Sequence, residues 1–111
     1  MKLLVFVLCK LELEDKLLNS LANSGIRGAT ILDSTGMAQH LAQSGYMDSI
    51  DALKEIFNPG REKNKTILMV IKDTEIALAR RVINEIVGDL SIPGTGFLFT
   101  LPIDLVDGFY R

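Results

Sequence analysis

The chain has 111 residues, of which 48% are hydrophobic, and its formal net charge at pH 7 is −2. This length predicts a single domain, residues 1–111, that buries roughly two-thirds of its unfolded surface. The slightly acidic balance, with no basic stripe and few aromatic residues, argues against a nucleic-acid-binding protein. No apolar run approaches the ~20 residues of a membrane-spanning helix, so we expect no membrane insertion.

The apolar start of the chain predicts a strand over Lys2–Leu8. It resembles a signal peptide only superficially, because charged residues follow at once from Lys10 onward. We therefore expect a buried strand in a cytoplasmic protein. A sheet face in contact with water would carry alternating polar residues, whereas both faces of this strand are apolar. The two faces are Leu3, Val5, Val7 and Leu4, Phe6, Leu8.

The rest of the first half predicts a helix and a second strand. Leucines recur every four residues over 13–23, which is typical of an amphipathic helix with one apolar stripe. Glu14 and Asp15 lie in the first turn, where negative charge is stabilised by the helix dipole. Gly25 is expected to end the helix, because glycine readily adopts the left-handed backbone conformation. The second strand is predicted over Gly28–Asp33, with β-branched Thr30 and Ile31.

The second half repeats this order. The third predicted strand, Thr66–Ile71, is again apolar on both faces. A cap at Asp73 begins a helix that is predicted to run to about Val87. The fourth strand is predicted over Phe97–Leu101, and Pro102 is expected to interrupt it.

The central stretch Gly36–Asn64 separates the two halves and is too long for a plain connection. Connections beyond about 12–15 residues are usually functional or disordered, so the function is expected here. A turn is predicted around Tyr46 and a short helix over Asp48–Phe57.

The order strand, helix, strand, long loop, strand, helix, strand predicts an α+β, ferredoxin-like fold. Its four-stranded antiparallel sheet would carry both helices on one face, with the long loop between strands 2 and 3. Strands 1 and 3 would be the central pair. Because both are apolar on two faces, the uncovered face is expected to meet other protein in a homo-oligomer.

Few residues suggest chemistry, and each has a structural alternative. Cys9 is the only cysteine, which excludes an intrachain disulfide and favours a buried thiol. His40 lacks a second ligand nearby and is more simply an exposed loop residue. A cation site at Asp48, Asp51 and Glu55 competes with the polar face of a helix. No Ser/His/Asp set or paired-acid motif is visible, so we expect no catalytic residue and no enzyme.

The segment Pro93-Gly94-Thr95-Gly96 is rich in small and flexible residues. Glycines let backbone N–H groups approach a phosphate or another anion, so this loop is a candidate anion cradle. It precedes a strand and lacks the Lys and Ser/Thr ending of a P-loop, so an ordinary turn is the alternative.

Three stretches of the chain match a known family, and each falls at the matching place in the strand and helix order. They are Leu13-Glu14-Asp15, Ser24-Gly25-Ile26-Arg27-Gly28-Ala29-Thr30-Ile31 and Pro93-Gly94-Thr95-Gly96-Phe97-Leu98-Phe99. In these stretches and in its layout the chain resembles the nitrogen regulatory P-II family of signalling proteins.

The resemblance implies a homotrimer that requires no cofactor and binds an adenine nucleotide in clefts between subunits. It also implies that the central loop contacts an enzyme or a transporter, here through His40, Tyr46 and Phe57. The ligand-binding residues that it implies are Gly28, Thr30, Gly36, Met37, Ala38, Gln39, Pro93, Gly94, Thr95 and Gly96. The alternative is a trimeric ion-binding or metal-tolerance protein of the same fold class, although we expect no metal site.

Overall fold

The computed structural model describes residues 1–43 and 63–109. In chain order the elements are β1 (Lys2–Leu8), α1 (Glu14–Asn23), β2 (Thr30–Ser34), α2 (Met37–Gln43), β3 (Asn64–Ile71), α3 (Ile76–Val87) and β4 (Gly96–Pro102). Over these described ranges no helix has the length and apolar character needed to cross a bilayer.

The four strands form one antiparallel sheet in the order β2-β3-β1-β4. At its middle, Val5 of β1 lies opposite Leu68 of β3 on one side and Phe99 of β4 on the other. The predicted α+β, ferredoxin-like fold is therefore confirmed, with β1 and β3 as the central pair.

The hydrophobic core lies between the sheet and the two longer helices. Every second residue of β1, from Leu4 through Phe6 to Leu8, is fully buried. The stripe of α1 adds Leu17 and Leu21, and α3 contributes further members of the same cluster: Ala79, Val82, Ile83 and Val87. Burying one such large apolar side chain stabilises the fold by about 1.5–3 kcal/mol, so this layer is the main source of stability.

Glycines end both long helices, as the sequence predicts. Gly25 has φ of 99° and Gly88 has φ of 95°, a region that residues with a Cβ adopt only with strain. Each helix is preceded by a single 3-10 turn, at Leu11–Leu13 and Asp73–Glu75. As a result α1 and α3 begin slightly later than their predicted starts.

The strand ends also differ from the prediction by one or two residues. β2 begins at Thr30, and β3 begins at Asn64 because Asn64 pairs with Ser34. β4 runs through Pro102, which pairs with Lys2 instead of interrupting the strand. Proline is tolerated there because β4 is an edge strand, where an absent N–H removes no bond that the sheet needs.

The start of the central stretch is helical, which the sequence analysis did not predict. The Gly36 carbonyl accepts the His40 N–H at 2.9 Å, and the Gly36 N–H donates to Gln39 Oε1 at 2.8 Å. This local cap and the helix-forming residues Met, Ala, Gln and Leu explain why α2 forms over Met37–Gln43. The helix predicted over 48–57, together with Tyr46, lies outside the described residues.

Candidate functional site

Two predicted site segments lie at the same end of the sheet. At this end Leu8 of β1 pairs with Lys65 of β3 and with Gly96 of β4, and Lys65 pairs with Asp33 of β2. Three strand spacings put the end of β2 and the start of β4 about 14 Å apart. The base of the central stretch and the 93–96 loop therefore lie at the same end of the sheet, with the ends of β3 and β1 between them.

The 93–96 loop depends on its glycines. Gly94 has φ of 81° and Gly96 has φ of 150°. A Cβ on Gly96 would collide with the carbonyl oxygen of Val7 and would lie 3.1 Å from the Phe6 ring. A Cβ on Gly94 would meet nothing within 4 Å, so the Gly94 backbone is open to approach by a ligand. Gly96 is thus needed for packing, whereas Gly94 is accessible.

Thr95 is buried within this loop, with 1% of its surface exposed. Its carbonyl accepts the Cys9 N–H at 3.2 Å, but its Oγ1 has no hydrogen-bond partner. Among the residues that the structure describes, Oγ1 of Thr95 is the only buried side-chain polar atom without one. An unsatisfied buried hydroxyl costs about 1–3 kcal/mol. A ligand would contact this hydroxyl only after the loop moves.

A polar cluster lies beside the base of the central stretch, on the sheet face away from α1 and α3. The Ser34 hydroxyl donates to Asn64 Oδ1 and lies 2.7 Å from Thr66 Oγ1. Asn64 is buried, and its Nδ2 would lie 3.8 Å from a Cβ on Gly36. This cluster was not predicted from the sequence. The available signal was that Ser34, Asn64 and Thr66 are polar residues at the ends of otherwise apolar strands.

The opposite side of the same sheet end carries an ion-pair cluster. Lys65 Nζ lies 2.5 Å from Asp33 Oδ1 and 3.9 Å from Glu14 Oε2. The hydrogen bond from Lys65 lowers the pKa of Asp33 below its usual value, and the same bond raises the pKa of Lys65. These contacts tie α1, β2 and β3 together beside the candidate site. Lys63, which is exposed, also favours the charged form of Asp33.

Some predicted ligand residues lie away from the two loops. Thr30 pairs with Leu68 near the middle of the sheet, about 13 Å along β2 from its loop end, and Gly28 precedes it. On α2, Met37 and His40 are exposed, and Ala38 and Gln39 are half-buried. Within one chain the structure brings 36–39 and 93–96 to one end of the sheet, but not Gly28 or Thr30. The predicted contact residue Phe57 lies outside the described residues.

The sheet face away from α1 and α3, which we call the open face, is apolar over β1 and β4 and carries the polar cluster at the loop end of β2 and β3. Its central column is Val5 with Leu68, and Leu32 lies toward the β2 edge. On β4, Phe97 is 55% and Phe99 42% exposed. Their rings stack with centroids 6.0 Å apart and an interplanar angle of 15°. A contiguous apolar surface of this kind is typical of an interaction site.

No protein-family model matches the chain, and no curated protein matches it. The resemblance to the P-II family therefore stays a prediction. Within residues 1–43 and 63–109, no group of three or more His, Cys, Asp or Glu side chains is placed to hold a metal ion. The open face and the loop end of the sheet are the features of the described residues that bear on the predicted effector and partner.

Proposed function

We propose that this chain is a non-enzymatic regulatory protein of the P-II type that acts in the cytoplasm. In this proposal it forms a homotrimer, binds a small effector such as an adenine nucleotide between subunits, and contacts a partner enzyme or transporter through residues 36–64. The observation that carries the proposal is the common position of 36–39 and 93–96 at one end of a ferredoxin-like sheet.

The open face supports the assembly part of the proposal. On this face Val5 of the central strand β1 is buried, whereas the phenylalanines of β4 remain exposed. Removing apolar surface from water contributes about 25 cal/mol per Å², so packing a second subunit on this face is favourable. Thr30 also lies on the open face, so a subunit boundary there would bring it to a neighbouring chain.

The loop end of the sheet supports the effector part. Gly94 leaves its backbone accessible, and exposed backbone N–H groups of a glycine-rich loop suit a phosphate or another anion. The exposed Lys63 adds a positive charge at the start of β3. The hydroxyl and amide groups of Ser34, Asn64 and Thr66 provide polar contacts beside the base of the central stretch.

Two glycine variants test the effector site against a matched control. Gly94→Ala and Gly25→Ala both place a Cβ at positive φ, 81° and 99°, with nothing within 4 Å. We therefore expect similar losses of stability, about 1 kcal/mol each. Only Gly94→Ala is expected to weaken binding of ATP, ADP or AMP, measured by isothermal titration calorimetry on the assembled protein.

Three results would contradict the proposal. Titrations of the parent protein that show no heat with any adenine nucleotide would remove the nucleotide as effector. Equal binding by both variants would place the effector site elsewhere. A monomeric mass in multi-angle light scattering at micromolar concentration would remove the trimer, independently of either titration.

A further inference from the structure

A groove of about 580 Å³ lies on the helix-covered side of the sheet, between α3, the 89–91 segment and β4. One wall is the solvent side of α3, with Arg80, Arg81 and Asn84. These residues share a wall because positions three and four apart lie on one face of a helix. The volume is within the usual range of small-molecule sites, about 300–1,000 Å³. We call this feature the α3–β4 groove.

Within the described residues, neither arginine of the α3–β4 groove is held in a close ion pair. For Arg80 no ion-pair partner is found among residues 1–43 and 63–109. Arg81 lies 4.0 Å from Glu85, and both side chains are about two-thirds exposed. An exposed pair of this kind contributes little, so an anionic ligand can replace Glu85 at low cost.

The floor of the groove is apolar, and its second wall is the polar 89–91 segment. Leu90 and Leu98 are half-buried and pack on the core with their inner sides, and both also line the groove. The Ser91 N–H and hydroxyl both donate to Asp89 Oδ1, at 2.9 and 2.8 Å. These bonds lower the pKa of Asp89 and hold the 89–91 segment in a turn. The groove therefore combines two guanidinium groups and an apolar floor with a wall that contains one carboxylate, whose Oδ1 already accepts two hydrogen bonds from Ser91.

We propose that the α3–β4 groove binds a small organic anion. The carboxylate or phosphate of the ligand contacts the guanidinium groups of Arg80 and Arg81. A guanidinium group can donate two parallel hydrogen bonds to two oxygens of a carboxylate or a phosphate. Its apolar or aromatic body lies on Leu90 and Leu98. This site is separate from the proposed effector site, because it lies on the other side of the sheet from the open face and uses none of the residues 36–39 or 93–96.

The test is a calorimetric titration of the full chain with four probes. Phenyl phosphate and 3-phenylpropionate carry both the charge and the apolar body, inorganic phosphate carries only the charge, and benzyl alcohol carries only the body. We expect saturable binding of the first two, weaker binding of inorganic phosphate and none of benzyl alcohol. Arg80→Gln and Arg81→Gln are each expected to weaken binding about tenfold, the loss of one charge-assisted contact.

Two control variants make the test specific. Lys16→Gln removes an equally exposed cation from α1, outside the groove, and is expected to leave the affinity unchanged. Gly94→Ala is also expected to leave it unchanged, which separates this site from the proposed effector site. The proposal is overturned if neither organic anion binds at millimolar concentration, if Arg80→Gln and Arg81→Gln have no effect, or if Lys16→Gln weakens binding equally.

Discussion

Both faces of the sheet carry large apolar side chains, but the surroundings of the two faces differ. On the covered face, Leu4, Phe6 and Leu8 of β1 are fully buried under α1 and α3. On the open face, Phe97 and Phe99 of β4 keep much of their surface exposed, although they are as apolar as the covered core. Since hydrophobic burial drives both folding and association, the covered face should decide stability and the open face should decide assembly.

The largest expected effect is on the covered face. Phe6→Ala removes a fully buried ring and should cost about 3–5 kcal/mol of unfolding free energy. This is a large share of the 5–15 kcal/mol typical of a whole domain. Urea unfolding at low protein concentration measures it. Phe99→Ala on the open face is the control, and equal losses for the two variants would contradict the distinction between the faces.

The next effect is on assembly through the open face. Replacing Phe97 and Phe99 together by lysine should dissociate the oligomer, because each change places a charge within the proposed interface. Aromatic residues that are hot spots of an interface typically contribute about 2 kcal/mol or more each to association. Light scattering should show a monomer of 12.2 kDa with an unchanged circular dichroism spectrum.

Leu105→Lys provides the control for this experiment. Leu105 is 78% exposed and lies beyond β4, so its replacement should leave the mass of the assembly unchanged. If the double variant keeps the mass of the parent protein, the open face is not the interface.

A smaller effect on stability is expected when either of two threonines is replaced by valine, and the two replacements should change stability in opposite directions. Thr95→Val removes a buried hydroxyl that has no partner and should stabilise the protein by about 1 kcal/mol. Thr66→Val removes a hydroxyl that contacts Ser34 on the open face and should destabilise it by about 0.5–1.5 kcal/mol. Thermal unfolding of both variants measures the difference. A loss of stability in Thr95→Val would indicate that its hydroxyl is satisfied in solution.

The smallest effect is the acid dependence of stability. The pKa values of Asp33 and Asp73 are lowered in the folded protein, the first by Lys65 and the second by the N-terminal amine and Lys2. A lowered folded pKa adds stability above the unfolded value of 3.8, and that stability is lost as the pH falls through the folded pKa. Unfolding free energy should therefore change little between pH ~7 and ~5 and fall below pH ~4.

Lys65→Met tests the contribution of Asp33. Because Lys65 is the main cause of the lowered pKa of Asp33, this variant should show a shallower fall in stability at acid pH. Lys16→Met, which removes an exposed cation of α1, should keep the slope of the parent protein. Identical slopes for all three proteins would show that the Asp33–Lys65 pair does not couple folding to protonation.

Much of the fold could be predicted because the relevant signals are local. The apolar pattern on both faces of β1 and β3 identified the central strands, and Gly25 and Gly88 identified the helix ends. The boundaries were less accurate where pairing partners decide them. Asn64 joins β3 only because Ser34 is opposite it, and Pro102 stays in β4 only because β4 is an edge strand.

The candidate site could be predicted only in part. The 93–96 loop was predicted as a candidate anion cradle, with an ordinary turn as the alternative, and burial of Thr95 depends on packing that no local pattern shows. The helix α2 was missed because seven residues are too few for a clear period. The α3–β4 groove was missed as well, because Arg80 and Arg81 look like any polar helix face until Leu98 of a distant strand lies beside them.

By itself the sequence determined the four strands, the two long helices, which strands are central, and that these strands are apolar on both faces. These properties follow from residue type and spacing along a short stretch of chain. Only the tertiary structure decided which β1 face the helices cover, that residues 36–39 and 93–96 share one end of the sheet, and where arginines and leucines form a groove. These properties depend on contacts between residues that are far apart in the chain. Such contacts form only when the strands pair and the helices pack on the sheet.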